Sequence, residues 1–147
     1  IRDRDVTGVQ TCALPICRGP SYLFYDEPRT AAALARMNAS LNNADRNDPA
    51  APLPRILLAH HPETFTQAQP HGIGLTLAGH THGGGQIVLG HVDGQPVGVS
   101  ALRFHYRSGL YQHDGLSLYV NRGLGYMGLP IRINCPSEIS QFRLARA

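Results

Sequence analysis

Two short apolar runs in the middle of the chain each end in histidine. Residues 56–59 (ILLA) lead into His60, and residues 75–79 (LTLAG) lead into His80 and His82. Runs of this length, bounded by glycine and proline, are typical of buried strands. In sheets flanked by helices, functional sites form at the carboxyl ends of the strands. Because neutral imidazole is the commonest protein ligand for transition metals, this spacing favours a metal site over a chance grouping of histidines.

These histidine motifs and a later segment together carry a family resemblance. Residues 58–62 (LAHHP) and 79–84 (GHTHGG) resemble the H-x-P and G-H-x-H motifs of the calcineurin-like metallophosphoesterases. Residues 119–139 contain YVNRGLG, GLPIR and CPSEI, which resemble the tail of a bacterial branch of that family often found at membranes. The resemblance covers roughly residues 21–144. G-H-x-H alone is a weak signal, whereas its combination with the preceding motif and the tail is specific.

The resemblance implies an α/β fold, namely the C-terminal half of a four-layer αββα sandwich with metals at one end. It implies hydrolysis of phosphate monoester, diester or pyrophosphate bonds by a hydroxide that two divalent ions activate, with manganese, iron or zinc as candidates. His60 and His80 would ligate one metal and His82 the other. Gly83 and Gly84 would let substrate come close, because glycine lacks the Cβ atom.

Arg122 is a candidate substrate-binding residue. It follows the apolar run 116–120 and precedes a glycine turn, where a loop facing the site is expected. A guanidinium group can hold phosphate through two parallel hydrogen bonds. A surface arginine, or one paired with a structural carboxylate, is the simpler alternative, and Arg132 is a weaker candidate for the same role. We expect His61 to point to the other strand face, either as a packing residue or as one that supports the metal ligands, and Cys135 to be structural.

The earlier motifs of the family are absent from this chain. D-x-H, G-D-x-x-D and G-N-H-[DE] supply the bridging aspartate, the remaining ligands and the histidine acid, and none of them occurs. No catalytic residue is therefore assigned. We predict a dinuclear metal-dependent phosphoesterase as the parent protein, and a chain that binds metal weakly and is inactive alone. The family also reads G-H-T-H-G-G-Q, whereas here three glycines precede Gln86.

Two other hypotheses about the function stay open. The chain could be a non-catalytic or mononuclear zinc-binding module that uses His60, His80 and His82, since three histidines with one open position are also a catalytic zinc pattern. Alternatively, the histidines merely pack in a structural domain. The upstream reading frame discriminates between these readings, because the three missing motifs would establish the enzyme. A nucleotide-binding glycine loop is disfavoured, since G-x-x-x-x-G-K-[ST] is absent.

The composition indicates which classes of binding partner are expected. The chain is 42% hydrophobic and 16% charged with a net charge of +3, and its basic residues are scattered, so nucleic acid is not predicted as a partner. We expect a small phosphate ester or a lipid-linked phosphate as substrate. No apolar run approaches the roughly 18 residues that span a bilayer. A bacterial cytoplasmic or membrane-associated location is expected, with membrane contact through a segment upstream of this chain.

The first residues of the chain are predicted to be an artefact of sequencing. Residues 6–16 (VTGVQTCALPI) read as the translation of a common sequencing-library adapter. We therefore divide the chain into a translated adapter, residues 1–16, and the C-terminal part of a phosphoesterase domain, residues 17–147. Cys12 then belongs to the adapter and Cys17 to the junction. Only Cys135 is securely native, so no disulfide framework is implied.

Helix and strand patterns alternate first, and short antiparallel strands follow, which indicates an α/β or α+β architecture. An Ala-rich amphipathic helix is predicted at residues 31–41 and a polar loop at 42–54. A short helix at 62–68 should turn Phe65 inward. Strands are predicted at residues 21–25, 54–59, 73–78, 86–89, 95–99, 102–106, 116–120 and 137–144.

Overall fold

The structure, a computed structural model, describes residues 10–13, 27–47 and 55–144. The predicted strand at 21–25 lies outside these ranges. The strands are β1 (Gln10–Ala13), β2 (Arg55–Leu58), β3 (Leu75–Ala78), β4 (Val88–Val92), β5 (Gln95–Gly98), β6 (Gly109–His113) and β7 (Leu116–Val120). The α-helices are α1 (Glu27–Asn47), α2 (Thr64–Ala68) and the single turn α3 (His82–Gly85). Short 3₁₀ segments lie at Gln69–His71 and Val99–Leu102.

A five-stranded sheet in the order β1-β2-β3-β7-β6 forms the centre of the fold. The pairs β1–β2, β2–β3 and β3–β7 are parallel, and β6–β7 is an antiparallel hairpin. The parallel register aligns Leu58 with Leu77 and Ala78 with Val120. The carboxyl ends of β2, β3 and β7 therefore meet at one edge of the sheet, as the apolar runs predicted.

Side chains that alternate along the strands bury one face of the sheet under helices. Leu57 packs with Leu34 of α1 and with Ala68 and Ile73 around α2. Phe65 packs with a second cluster on the same sheet, formed by Ala78, Leu118 and Val120. Phe65 is thus turned inward, as predicted. Burial of side chains this large contributes roughly 1.5–3 kcal/mol each.

The opposite face of the sheet is apolar but less covered. Strand alternation places Ile56, Leu58, Leu75 and Leu77 on it, and none of the four is buried. Leu58 is 40% exposed. Tyr119 lies on this face as well, where the ring of Phe142 packs against it at a centroid distance of 5.1 Å.

Two hairpins use the turns that their sequences predict. Asp93 and Gly94 join β4 to β5, and Asp114 and Gly115 join β6 to β7. All four residues have positive φ angles, between 50° and 78°. Asp-Gly pairs with two positive φ angles match the twist of antiparallel strands, which explains these tight connections.

Several sequence predictions need correction. Helix α1 extends to Asn47, beyond the predicted start of the loop at residue 42. Residues 102–106 form no strand, because a 3₁₀ turn ends at Leu102 and the following chain is irregular. Residues 137–144 also join no sheet among the described residues. Strand β6 was not predicted from the sequence.

Strand β1 lies inside the segment predicted to be a translated adapter. Its four residues pair in parallel with β2, with Gln10 opposite Arg55 and Ala13 opposite Leu58. The expectation that the whole segment stays outside the fold is therefore not met at residues 10–13. Whether the strand contributes to stability stays a prediction. Among the described helices, none combines the length and the apolar character needed to cross a membrane.

Candidate metal site

The parallel strands β2 and β3 bring their terminal histidines together. The N–H of Ala59 donates to the carbonyl of Leu77 at 2.9 Å, and that of Gly79 donates to the carbonyl of His60 at 3.4 Å. These two bonds extend the pairing just past the strand ends. The imidazole centroids of His60 and His80 are consequently 4.5 Å apart. The sequence predicted this convergence from the strand order alone.

His61 joins this pair. Its ring centroid lies 4.0 Å from that of His80 and 5.0 Å from that of His60. One nitrogen from each of the three rings lies within 4.8 Å of the others, so the three could share a metal ion. We expected His61 to point to the other strand face, which is wrong. Strand β2 ends at Leu58, so its alternation does not extend to residues 60 and 61.

His82 lies outside this tight cluster but close to it. A charge on His82 would lower the pKa of both His60 and His80. Its Nδ1 atom is buried and has no hydrogen-bond partner among the described residues. A buried nitrogen without a partner costs free energy, of the order of 1–3 kcal/mol. A metal ion at Nδ1 would remove that cost, so His82 also suits a ligand role.

The site keeps the imidazoles of His60 and His80 neutral. Burial, followed by the charges of His61, His60, His82 and Arg103, lowers the pKa of His80 to about 3. Burial, followed by His82, also lowers the pKa of His60. A neutral imidazole has a lone pair available for a metal, whereas an imidazolium does not. The donor set therefore fits a divalent metal near neutral pH.

The turn that follows β3 has a left-handed backbone. His80 and His82 have φ angles of 69° and 49°, and Gln86, at the end of α3, has one of 59°. Residues other than glycine rarely adopt such angles, which cost of the order of 1–3 kcal/mol each and cluster at functional sites. At this turn the backbone angles of His80 and His82 set the directions in which their imidazoles leave the chain.

Packing explains two of the turn glycines. An added Cβ atom at Gly83 would lie 2.6 Å from both Cγ of Arg122 and Sγ of Cys135. At Gly84 it would lie 3.0 Å from Cβ of Pro96. Both glycines are buried. The resemblance implied that substrate comes close to them, but side chains of the fold already fill the space that a Cβ would need, so contact with substrate stays a prediction.

Arg122 lies beside this turn and is paired with a carboxylate. Its Nε donates to Oε2 of Glu138 at 2.7 Å, and its backbone N–H donates to the same oxygen at 3.3 Å. Glu138 also accepts hydrogen bonds from the hydroxyls of Tyr119 and Ser140. Burial raises the pKa of Glu138, but these hydrogen bonds from Ser140, Tyr119 and Arg122 outweigh it and lower the pKa to about 2. Arg122 therefore has a structural partner, as the simpler alternative stated.

Arg132 and Cys135 hold the surrounding loops. The guanidinium of Arg132 donates to the carbonyls of Gly125 and Arg122, the latter at 3.0 Å. The thiol of buried Cys135 donates to the carbonyl of His82 at 3.1 Å. Cys135 thus has the predicted structural role, and the guanidinium of Arg132 donates mainly to backbone carbonyls.

Sequence reasoning missed the contacts of two side chains near the cluster, Phe104 and Thr81. The ring of Phe104 packs edge-on against His80 at 5.2 Å and lies 6.2 Å from His61. The hydroxyl of buried Thr81 donates to the carbonyl of Arg107 at 2.6 Å and so ties the turn to a distant loop. These contacts join residues more than twenty positions apart, and no local pattern signals them.

Carboxylates do not reach the cluster from the described residues. The only group of three or more potential ligands found in residues 10–13, 27–47 and 55–144 is made of His60, His61 and His80. Two ions several ångströms apart normally need a bridging carboxylate. The described residues therefore supply three imidazoles that could hold one metal ion, with His82 close to them. They supply no carboxylate that would bridge to a second ion.

Comparisons with known proteins find relatives named metallophosphoesterase or phosphodiesterase. The chain is 43% identical over 94 residues to an uncharacterized metallophosphoesterase of Helicobacter pylori, which covers 62% of this chain and 23% of that protein. It is 40% identical over 92 residues to the uncharacterized metallophosphoesterase YkuE of Bacillus subtilis, covering 60% and 30%. It is 34% identical over 94 residues to the phosphodiesterase YaeI of Escherichia coli, covering 64% and 33%. These relatives, the first two at 40–43% identity over 60–62% of the chain, support the assignment of the chain to the metallophosphoesterase superfamily.

The metallophosphoesterase matches cover between 23% and 33% of the length of these three relatives. No family model and no solved structure matches the chain. The metallophosphoesterase relatives imply the use of divalent metal, and the histidine cluster at the ends of β2 and β3 could bind a metal ion.

Proposed function

We propose that this chain is the C-terminal part of a dinuclear metal-dependent phosphoesterase that hydrolyses phosphate monoester, diester or pyrophosphate bonds. The observation that carries the proposal is the neutral, converging pair His60 and His80 at adjacent strand ends, in a metallophosphoesterase chain. When bound, the two metal ions supply charge neutralisation and a hydroxide nucleophile near neutral pH. Manganese, iron and zinc are the candidate ions.

Each histidine has a proposed role. His60 and His80 hold one metal, because their ring centroids lie 4.5 Å apart at the sheet edge. His82 holds the second metal, a role that its buried and unpartnered Nδ1 supports. Arg122 is proposed to bind the substrate phosphate through its terminal nitrogens, since Nε is engaged with Glu138. The substrate is a small phosphate ester or a lipid-linked phosphate.

The missing carboxylates and the proton donor are proposed to come from the part of the domain that the longer relatives have and this chain lacks. The half-covered apolar face with Ile56, Leu58, Leu75 and Leu77 supports this, because a second sheet packed there would complete a four-layer sandwich. The metals would then lie between the two halves. On this proposal the chain alone binds metal weakly and is inactive.

Metal titration of the isolated chain tests the histidine assignment. We expect His60→Ala and His80→Ala to weaken zinc or manganese binding by at least about tenfold, since each removes a ligand. The matched control is His91→Ala, because His91 is an exposed histidine of β4. Equal binding by all three variants would refute the site.

A mononuclear zinc centre is the second candidate, and one observation favours it. His60, His61 and His80 already offer three nitrogens within 4.8 Å, and no carboxylate of the described residues joins them. Three imidazoles with an open fourth position suit zinc. The two proposals differ at two residues, because His61→Ala abolishes binding only in the mononuclear centre and His82→Ala lowers the metal count only in the dinuclear one.

Activity is tested on the complete domain. The chain joined to its upstream half should hydrolyse bis(p-nitrophenyl) phosphate in the presence of metal, and the isolated chain should not. Recovery of D-x-H, G-D-x-x-D and G-N-H upstream would support the enzyme. An unrelated upstream domain would instead favour the non-catalytic module.

A further inference from the structure

One surface loop carries an unusual density of exposed apolar side chains. We define the apolar loop as residues 124–133. Leu124, Tyr126, Met127 and Leu129 are each between 57% and 64% exposed. Ile131 and Ile133 are also exposed. Single exposed apolar residues are ordinary, but a contiguous group of this kind marks a binding surface.

Polar groups beneath the apolar loop hold it in this position. The side-chain amide of Gln86 donates to the carbonyls of Met127 and Leu129, each at 3.0 Å, and its oxygen accepts the N–H of Met127 at 2.6 Å. Arg132 donates to the carbonyl of Gly125 at 3.0 Å. Since these donors and acceptors pair with the loop backbone, the apolar side chains of the loop are left facing outward.

The apolar loop is attached to the metal site at both ends. It begins two residues after Arg122, whose side chain packs on Gly83 of the turn α3. At the far end, the N–H of Ile133 donates to the carbonyl of Gln86 at 2.9 Å. A surface that binds the apolar loop therefore lies next to the site where phosphate chemistry is proposed.

The segment of the sequence that contains the apolar loop has a positive net charge. Residues 115–144 contain three arginines and a single acid, Glu138, which Arg122 neutralises. Apolar residues combined with basic ones are the pattern that binds anionic bilayers, where acyl chains receive the apolar groups and headgroups attract the cations. Tyrosine is also enriched at the membrane–water boundary, which suits Tyr126.

We propose that the apolar loop inserts into the surface of an anionic phospholipid bilayer and holds the metal site against lipid-linked phosphate substrates. The substrate part of this inference rests on the proposed phosphoesterase function, whereas the bilayer contact does not. A docking surface for a soluble protein is the weaker interpretation, because the apolar side chains lie in a segment with a positive net charge.

Vesicle sedimentation tests the contact with the 147-residue chain. We expect binding to phosphatidylcholine vesicles that contain phosphatidylglycerol, and weaker binding to phosphatidylcholine alone. The variant Leu124→Ser/Leu129→Ser should bind at least about tenfold more weakly, since each leucine loses its apolar transfer into lipid. The matched control is Leu89→Ser/Leu102→Ser, which changes two exposed leucines outside the apolar loop.

Each outcome decides the proposal. Equal losses in the loop variant and the control, or no binding by the unaltered chain, would overturn it. So would loss of vesicle binding when the upstream half is joined, since the loop would then be covered within the domain. Circular dichroism checks that both variants fold. Metal titration is a separate readout, so failed metal binding with retained vesicle binding refutes the phosphoesterase site alone.

Discussion

Replacing Gly83 by alanine should be among the most damaging single changes in the site. Gly83 has a φ of +67°, in the left-handed region, where alanine costs about 1–2 kcal/mol relative to glycine. The new Cβ would also lie 2.6 Å from Cγ of Arg122 and from Sγ of Cys135. Overpacking of this kind costs about 1–3 kcal/mol. We therefore expect a loss of roughly 2–5 kcal/mol in the free energy of unfolding.

Two matched glycines separate these contributions in urea denaturation. Gly123 has a φ of +70° but open space where its Cβ would be, so Gly123→Ala should show the backbone cost alone. Gly74 has neither restriction, so Gly74→Ala should be close to neutral or slightly stabilising. If Gly83→Ala is no more destabilising than Gly123→Ala, the packing of Gly83 against Arg122 and Cys135 is refuted.

A double variant checks the origin of the steric cost. Cys135→Ala removes the sulfur that the new methyl group would strike, and adjacent residues of this kind are not additive. Gly83→Ala/Cys135→Ala should therefore be less destabilised than the sum of its two single variants. Strict additivity would indicate that the loop moves as a unit and that Sγ is not the obstacle.

Three further predictions concern other parts of the chain. Deleting residues 1–16 should change the free energy of unfolding by less than about 1 kcal/mol, a typical single-mutation effect, even though β1 pairs with β2; a larger loss in denaturation would contradict the adapter assignment. In the complete enzyme, Arg122→Lys keeps the positive charge but loses the guanidinium that can donate two parallel hydrogen bonds to phosphate, so kcat or substrate affinity should fall while the amount of bound metal stays constant. Unchanged kinetics on several phosphate esters would show that Arg122 has a structural role only. The folded state lowers the pKa of Glu138 from 4.5 to about 2, so the stabilising contribution of its carboxylate is present above pH 4.5 and is lost as the pH falls towards 2. In urea denaturation, Glu138→Gln should therefore be less stable than the parent above pH 4.5, and the two stabilities should converge near pH 2. A stability difference that does not change with pH would contradict this.

The sequence alone predicted the two strands that carry the histidines of the site. Apolar runs of strand length bounded by glycine and proline predicted β2 and β3, and their carboxyl ends carry His60 and His80. Parallel neighbours end at the same edge, so the approach of these two rings followed from strand order. The Asp-Gly pairs likewise predicted tight turns, because their backbone preferences are local.

Tertiary structure decided what depends on distant contacts. His61 joins the cluster because the chain leaves β2 before residue 60, and strand alternation cannot describe residues beyond a strand. Residues 102–106 have strand-like composition, yet Phe104 is used to pack against His80 instead of pairing in a sheet. β-propensity records a preference for a half-buried pleated surface, and only the assembled fold decides whether such a surface is there.

The same distinction explains the glycine turn and the apolar loop. The three glycines suggested a permissive backbone from sequence, but only the packed structure shows Arg122 and Cys135 in the space above Gly83. Gln86 and Arg132 are ordinary polar residues in the sequence. They hold the apolar loop outward only because the fold brings residue 86 beside residues 127 and 129, more than forty positions along the chain. Local sequence encodes backbone preference and periodicity, whereas long-range hydrogen bonds and steric exclusion arise when the chain is folded.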